Sequence, residues 1–235
     1  MPNVDRKWLP LALIAAAALA SVVTYGKLPA MVELRFGGLL PVEPSGPTDL
    51  VPRWLALSGI PLLALAIWAA FRAAPTAVGQ RVGRLFARGA PDAVTSPDQF
   101  ARFEKTYDAI VLAVVVLLLG VHAAIIAGAL GYAGAAVRII PAVLGGSLIL
   151  MGNVMPRLRP NWVAGVRTKR TLADPQLWRS THRVFGAAFV VSGVVTMIVA
   201  LLAPSYGLVT GLASLMLSCI VGGVASLRAR PVANL

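Results

Sequence analysis

The sequence predicts an all-α membrane protein: a six-transmembrane-helix bundle with both termini in the cytoplasm, one small outer loop domain and two basic cytoplasmic loops. Three observations predict it. Hydrophobic residues make up 58% of the 235 residues, charged residues only 13%, and the mean hydropathy is +0.80. A soluble domain of this length does not carry such a composition. The apolar residues are gathered into six runs, each about as long as a bilayer core is thick. Finally, the 21 Lys and Arg residues fall between the runs and are unevenly shared between alternate intervals.

Taken in order, Arg6 and Lys7 precede the first apolar run, Trp8–Gly26. AAALAS offers small residues at which a signal peptide could be cleaved. The run is long enough to span, however, and everything after it is membrane protein, so it reads as a retained anchor. Residues 27–53 form a loop of balanced charge in which Val32-Glu33-Leu34-Arg35-Phe36 alternates like a short strand, with glycines and prolines breaking up the remainder. The second run, Trp54–Phe71, contains Pro61, which a membrane helix tolerates where a neighbour satisfies the freed carbonyl. Residues 72–107 are polar and basic. Within them Val82, Leu85 and Phe86 share a helical face beside arginines, a pattern that fits a helix on the bilayer surface and a solvated basic loop equally well.

The third run, Ala109–Gly131, contains His122; the fourth, Ile139–Met155, contains Pro141 and the pair Gly145-Gly146; the fifth is Val184–Ala203. In the sixth, Tyr206–Leu227, small residues recur every fourth position at Ser214, Ser218, Gly222 and Ser226, which predicts a close helix–helix seam. The organisation is an N-terminal hairpin (1–72), a cytoplasmic linker (73–107) and a four-helix domain (108–235).

Six spans place the N-terminus, residues 72–107, residues 156–183 and the C-terminus on one side. Those segments hold 17 of the 21 Lys and Arg residues, and the other side holds Lys27, Arg35, Arg53 and Arg138. The positive-inside rule puts the richer side in the cytoplasm. Most of the net charge of +12 is thereby explained by topology and by contact with anionic headgroups, without direct nucleic-acid binding.

The interval from Gly152 to Arg183 organises the chain. It holds seven Lys and Arg against one acid, Asp174. Pro156 and Pro160 end the fourth span, Gly165 permits a tight turn, and Asp174-Pro175 is a helix start that runs into the fifth span. Trp178 and His182 lie one turn apart on that helix, as do Arg179 and Arg183, and the aromatic with its arginines suggests a helix entering through the headgroup region.

Gly152-Asn153-Val154-Met155-Pro156, Arg159-Pro160-Asn161-Trp162, Gly165-Val166-Arg167-Thr168, Thr171-Leu172, Trp178 and Thr181-His182-Arg183 together resemble the signature of the SdpI family. These are bacterial membrane proteins associated with immunity to secreted peptide toxins. Where the family has Pro-Trp after its Arg-Thr pair, this chain has Lys169-Arg170. The frame Leu28-Pro29, Val32, Leu34, Phe36, Gly46, Asp49 and Trp54 is similar to the small extracytoplasmic domain that often opens this family, with Arg35 in place of its usual histidine. The resemblance implies an inner (plasma) membrane protein that protects against a secreted antimicrobial peptide, a response to antibiotic, and signal transduction by holding a cytoplasmic regulator. It implies a functional motif of Asn153, Pro156, Arg159, Pro160, Asn161, Gly165, Arg167, Thr168, Trp178, His182 and Arg183. Expected partners are the lipid bilayer, a peptide toxin on the outer face, a cytoplasmic regulator and a second copy of the chain.

Other chemistry finds little to stand on. No Gly-rich phosphate loop, H-E-x-x-H or G-x-S-x-G occurs. Asp174 and His182 lie eight residues apart on one helix, about 12 Å by helical rise, too far for a dyad. Two histidines and Cys219 do not assemble a metal site, and no cofactor is expected. Small-molecule or lipid transport is the alternative; its pathway would use His122, Ser147, Asn153 and Thr196. His122 reads either as a sensing group or as a neutral imidazole bonded to a neighbouring helix.

Overall fold

A computed structural model of the chain describes residues 7–33, 50–73, 76, 81, 97–132, 134–161 and 164–228. Its long helices are α1 (Leu9–Thr24), α2 (Arg53–Ala73), α3 (Pro97–Ala129), α4 (Ala135–Val154), α6 (Pro175–Leu202) and α7 (Pro204–Arg228), with a short α5 (Lys169–Ala173) before α6. Among the described residues, six helices are long and apolar enough to cross a membrane. Their boundaries differ from the apolar runs where polar residues continue a helix beyond the hydrocarbon. Most notably, α3 begins at Pro97, well before the apolar run at Ala109. The amphipathic stretch at Val82–Phe86, Arg6, Leu34–Phe36 and Trp162 lie outside the described residues.

α3 packs against α1 and α2 on one side and α4 on the other, while α6 packs between α4 and α7. Large apolar side chains such as Val22, Leu62, Leu201, Leu202 and Leu217 remain exposed on the outer faces, as lipid-facing surfaces require.

One end of the bundle is closed by strands β1 (Met31–Glu33) and β2 (Leu50–Pro52), antiparallel with Val32 opposite Val51. Val32 and Leu28 bury against Leu57 and Ile125, and Arg53 donates to Leu28 O at 3.0 Å while lying over the Tyr25 ring. At the opposite end lie the start of α1, the end of α2, residues 155–161 and 164–174, and the end of α7. Trp68 reaches Lys7 O, Phe71 packs into a cluster with Trp178 and Leu158, and Arg170 donates to Leu227 O. Arg72 and Asp108 form an ion pair of 2.8 Å there, bringing α2 to α3.

Two features explain how the helices approach so closely. Gly145 and Gly152 of α4 oppose Gly193 and Gly186 of antiparallel α6; a Cβ on Gly152 would lie 2.6 Å from Gly186 O, and one on Gly193 would lie 2.5 Å from Gly145 O. This heptad-spaced glycine seam lets backbone touch backbone. The second is the predicted seam of α7. Ser192 of α6 bonds Ser218 Oγ at 2.7 Å and Ser214 O at 2.9 Å, and a Cβ on Gly222 would fall on the Phe185 ring. The seam is occupied by α6 of the same chain.

Candidate functional site

The segment between α4 and α6 is built from its buried polar residues outward. Pro156 sits in a 3-10 turn, Met155–Arg157, that ends the span. Asn161, completely buried, accepts from Ala164 N at 2.8 Å and donates to the carbonyls of Arg159 and Ala164. Its side chain thus holds the backbone in a turn. Gly165 follows at φ +105°, in the left-handed region, where a Cβ would collide with His182 Nε2. Glycine is needed there twice over, for its dihedral and for the space.

His182 is the centre of the fold of this loop. Its Nε2 accepts from Val166 N at 3.0 Å and its Nδ1 lies 2.8 Å from Trp178 O, so Nδ1 carries the proton and donates. Trp178 stacks on the imidazole at 4.0 Å between ring centroids, and its indole N–H donates to Leu158 O at 2.8 Å. Both rings are completely buried. Trp178 is therefore a core residue, not the headgroup anchor that its place before an apolar run suggests, because the loop folds back over it.

α5 adds a second lock. Thr168 and Thr171 form a reciprocal capping box, and the Thr171 hydroxyl also donates to Val166 O at 2.6 Å. Asp174 caps α6, accepting from Gln176 N and Leu177 N, with Pro175 as the first helical residue. Of the expected motif, Asn161, Gly165, Thr168, Trp178 and His182 thus come together as a scaffold, with Pro156 and Pro160 at its entry. Arg159, Arg167 and Arg183 are exposed, as are Arg157, Lys169, Arg170 and Arg179. Asn153 stands apart: it is exposed and donates to Ile149 O of its own helix. Sequence reasoning left Thr171 and Leu158 off the site, although a Thr-x-x-Thr pattern just before Asp-Pro is a readable capping signal.

The residues proposed to line a transport path are bonded into separate contacts. Ser147 donates to Ala113 O, Thr196 to Ser192 O, and His122, 1% exposed, lies 2.8 Å from Ser21 Oγ. Ser21 also lies 2.9 Å from Leu57 O, the carbonyl four residues before Pro61 that proline leaves without its helical N–H. The Ser21 hydroxyl thus meets Leu57 O at 2.9 Å, Ala17 O of its own helix at 3.0 Å and His122 Nε2 at 2.8 Å. Ser21 was missed by sequence reasoning; a proline within a span signals that such a donor is needed.

Fold and loop together define a multi-pass membrane protein whose inter-helix loop is an ordered, hydrogen-bonded element rather than a tether. Residues 157–227, which hold most of this loop and the two helices after it, match the SdpI/YfhL protein family. The chain is also similar to the uncharacterized protein YfhL of Bacillus subtilis (strain 168), at 29% identity over 83 residues, covering 34% of this chain and 76% of that protein. These two similarities support membership of the chain in the SdpI family. No solved structure matches the chain.

Proposed function

We propose that the protein is an integral membrane immunity and signalling protein of the SdpI type, protecting the cell against a secreted antimicrobial peptide and acting by binding rather than catalysis. The observation that carries this reading is the construction of residues 155–183. Buried Asn161, Thr171, Trp178 and His182 hold one another, and Arg167, Lys169 and Arg170 project from that frame. Such a frame costs loop entropy, and a fixed cationic surface is what electrostatic recognition of an acidic protein partner uses. In the proposed cycle, the basic end faces the cytoplasm and the β1–β2 end faces outward. Peptide binding at the outer end or within the bundle shifts an equilibrium between two helix arrangements, and the basic surface then captures or releases a cytoplasmic regulator.

The test is survival under a panel of membrane-active peptides, comparing a strain lacking the protein with the same strain expressing wild type or Arg167→Glu. Wild type should restore survival and Arg167→Glu should not. Full protection by Arg167→Glu would remove the role of the surface. Transport has weaker support, because His122 and Ser147 are engaged at different helix contacts and Thr196 is bonded to a carbonyl of its own helix.

A further inference from the structure

Apart from the surface on α5, three other cations meet in one cleft. Pro156, Arg157, Leu158, Arg159, Pro160, Pro175 and Arg179 line a space of about 470 Å³. It lies where α4 ends and α6 begins, at the level where two spans leave the hydrocarbon. The described lining contains three guanidinium groups and no carboxylate. The nearest acid in sequence, Asp174, caps α6, its Oδ1 accepting from Gln176 N and Leu177 N.

The cleft is also rigid. Its floor is held by the Trp178 indole bond to Leu158 O, and the Arg159 carbonyl is held by Asn161. Pro156 packs on Gly186, where a Cβ would lie 2.9 Å from the proline ring. Prolines fix three of the seven lining positions. Arg179 is anchored through Nε to Pro175 O at 3.2 Å. Among the described residues none of the three arginines forms an ion pair with a carboxylate, and a multivalent anion relieves repulsion between like charges that share a cleft. Guanidinium groups match phosphate oxygens with paired donors.

We propose that this cleft binds a phosphate group, presented by the headgroup of an anionic phospholipid. The phosphate is the chemistry the arginines read, and the position of the cleft at the span ends selects a lipid as its source. The inference does not depend on which end of the bundle is cytoplasmic, nor on the immunity reading.

The test uses the full chain purified in neutral detergent, with native mass spectrometry counting bound phosphatidylglycerol, phosphatidylcholine of the same acyl chains, or inorganic phosphate. Three proteins are compared: wild type, the cleft variant R157Q/R159Q/R179Q, and R167Q/K169Q/R170Q, which loses the same charge outside the cleft. Wild type should retain phosphatidylglycerol over phosphatidylcholine. The cleft variant should bind it about a hundredfold more weakly, for three headgroup contacts, and the control within about threefold. Should the triple variant not fold, as judged by circular dichroism, R179Q alone should lose about fivefold. Equal losses in the two triple variants would overturn the proposal in favour of diffuse attraction. So would a wild type with no preference for phosphatidylglycerol. Inorganic phosphate binding as well as the lipid would overturn the lipid as source and assign the cleft to a soluble phosphate.

Discussion

Gly165 in the loop and Thr181 on α6 respond to substitution in opposite ways. Gly165 holds φ +105° and gives the space for His182 Nε2. Alanine there must adopt a left-handed backbone and displace the imidazole from Val166 N, which together cost roughly 2–4 kcal/mol. Gly165→Ala should lower the thermal midpoint in detergent and open residues 155–174 to protease; an unchanged midpoint would count against the lock. Thr181 is the contrast. It is 1% exposed, and its hydroxyl has no hydrogen-bond partner among the described residues. Thr181→Val keeps the shape and removes an unsatisfied polar group, so in the same melt it should be neutral or stabilising by about 1 kcal/mol. His182 and Thr181 are adjacent in sequence and both buried, and only their partners separate them.

Among elements, the instructive junction is the crossing of α1, α2 and α3. Pro61 removes one helical N–H from α2, and Ser21 of α1 supplies a donor to the orphaned Leu57 O while meeting His122 of α3. Ser21→Ala should therefore destabilise the hairpin by roughly 1–2 kcal/mol. Pro61→Ala restores the missing N–H, and in that background the loss on Ser21→Ala should shrink by about half. A double-mutant cycle on detergent-solubilised protein measures this coupling; strictly additive losses would show that Ser21 and Pro61 are unrelated. The glycine seam between α4 and α6 obeys the same logic of local defects made good by a neighbour. Glycine weakens a helix by about 1 kcal/mol, and here Gly145, Gly152, Gly186 and Gly193 exchange that for backbone contact.

For the whole molecule, charge and geometry make one joint prediction. The strand end carries Lys27, Arg53 and Arg138, and the loop end carries Lys7, Arg72 and the described basic residues from Arg157 to Arg183. With Cys219 replaced by serine, Met31→Cys should react with an impermeant maleimide in intact cells, and Lys169→Cys only after permeabilisation. The reverse labelling would invert the topology. Much of this architecture was legible in the sequence. Span number and the Asp174-Pro175 helix start follow from hydropathy and local capping, which act over a few residues or through the bilayer itself. The residue types of the loop were legible too, but their work was not. Trp178 reads as an interfacial anchor until Leu158 and Ala164 pack against it, and His182 reads as a lone base until Val166 N and Trp178 O occupy both nitrogens. Ser21 and Leu57 are 36 residues apart, and the arginines of the cleft come from two different helix ends. Pairing at such separations depends on which faces the helices present to one another. Packing decides that, and hydropathy, which sees only one span at a time, does not.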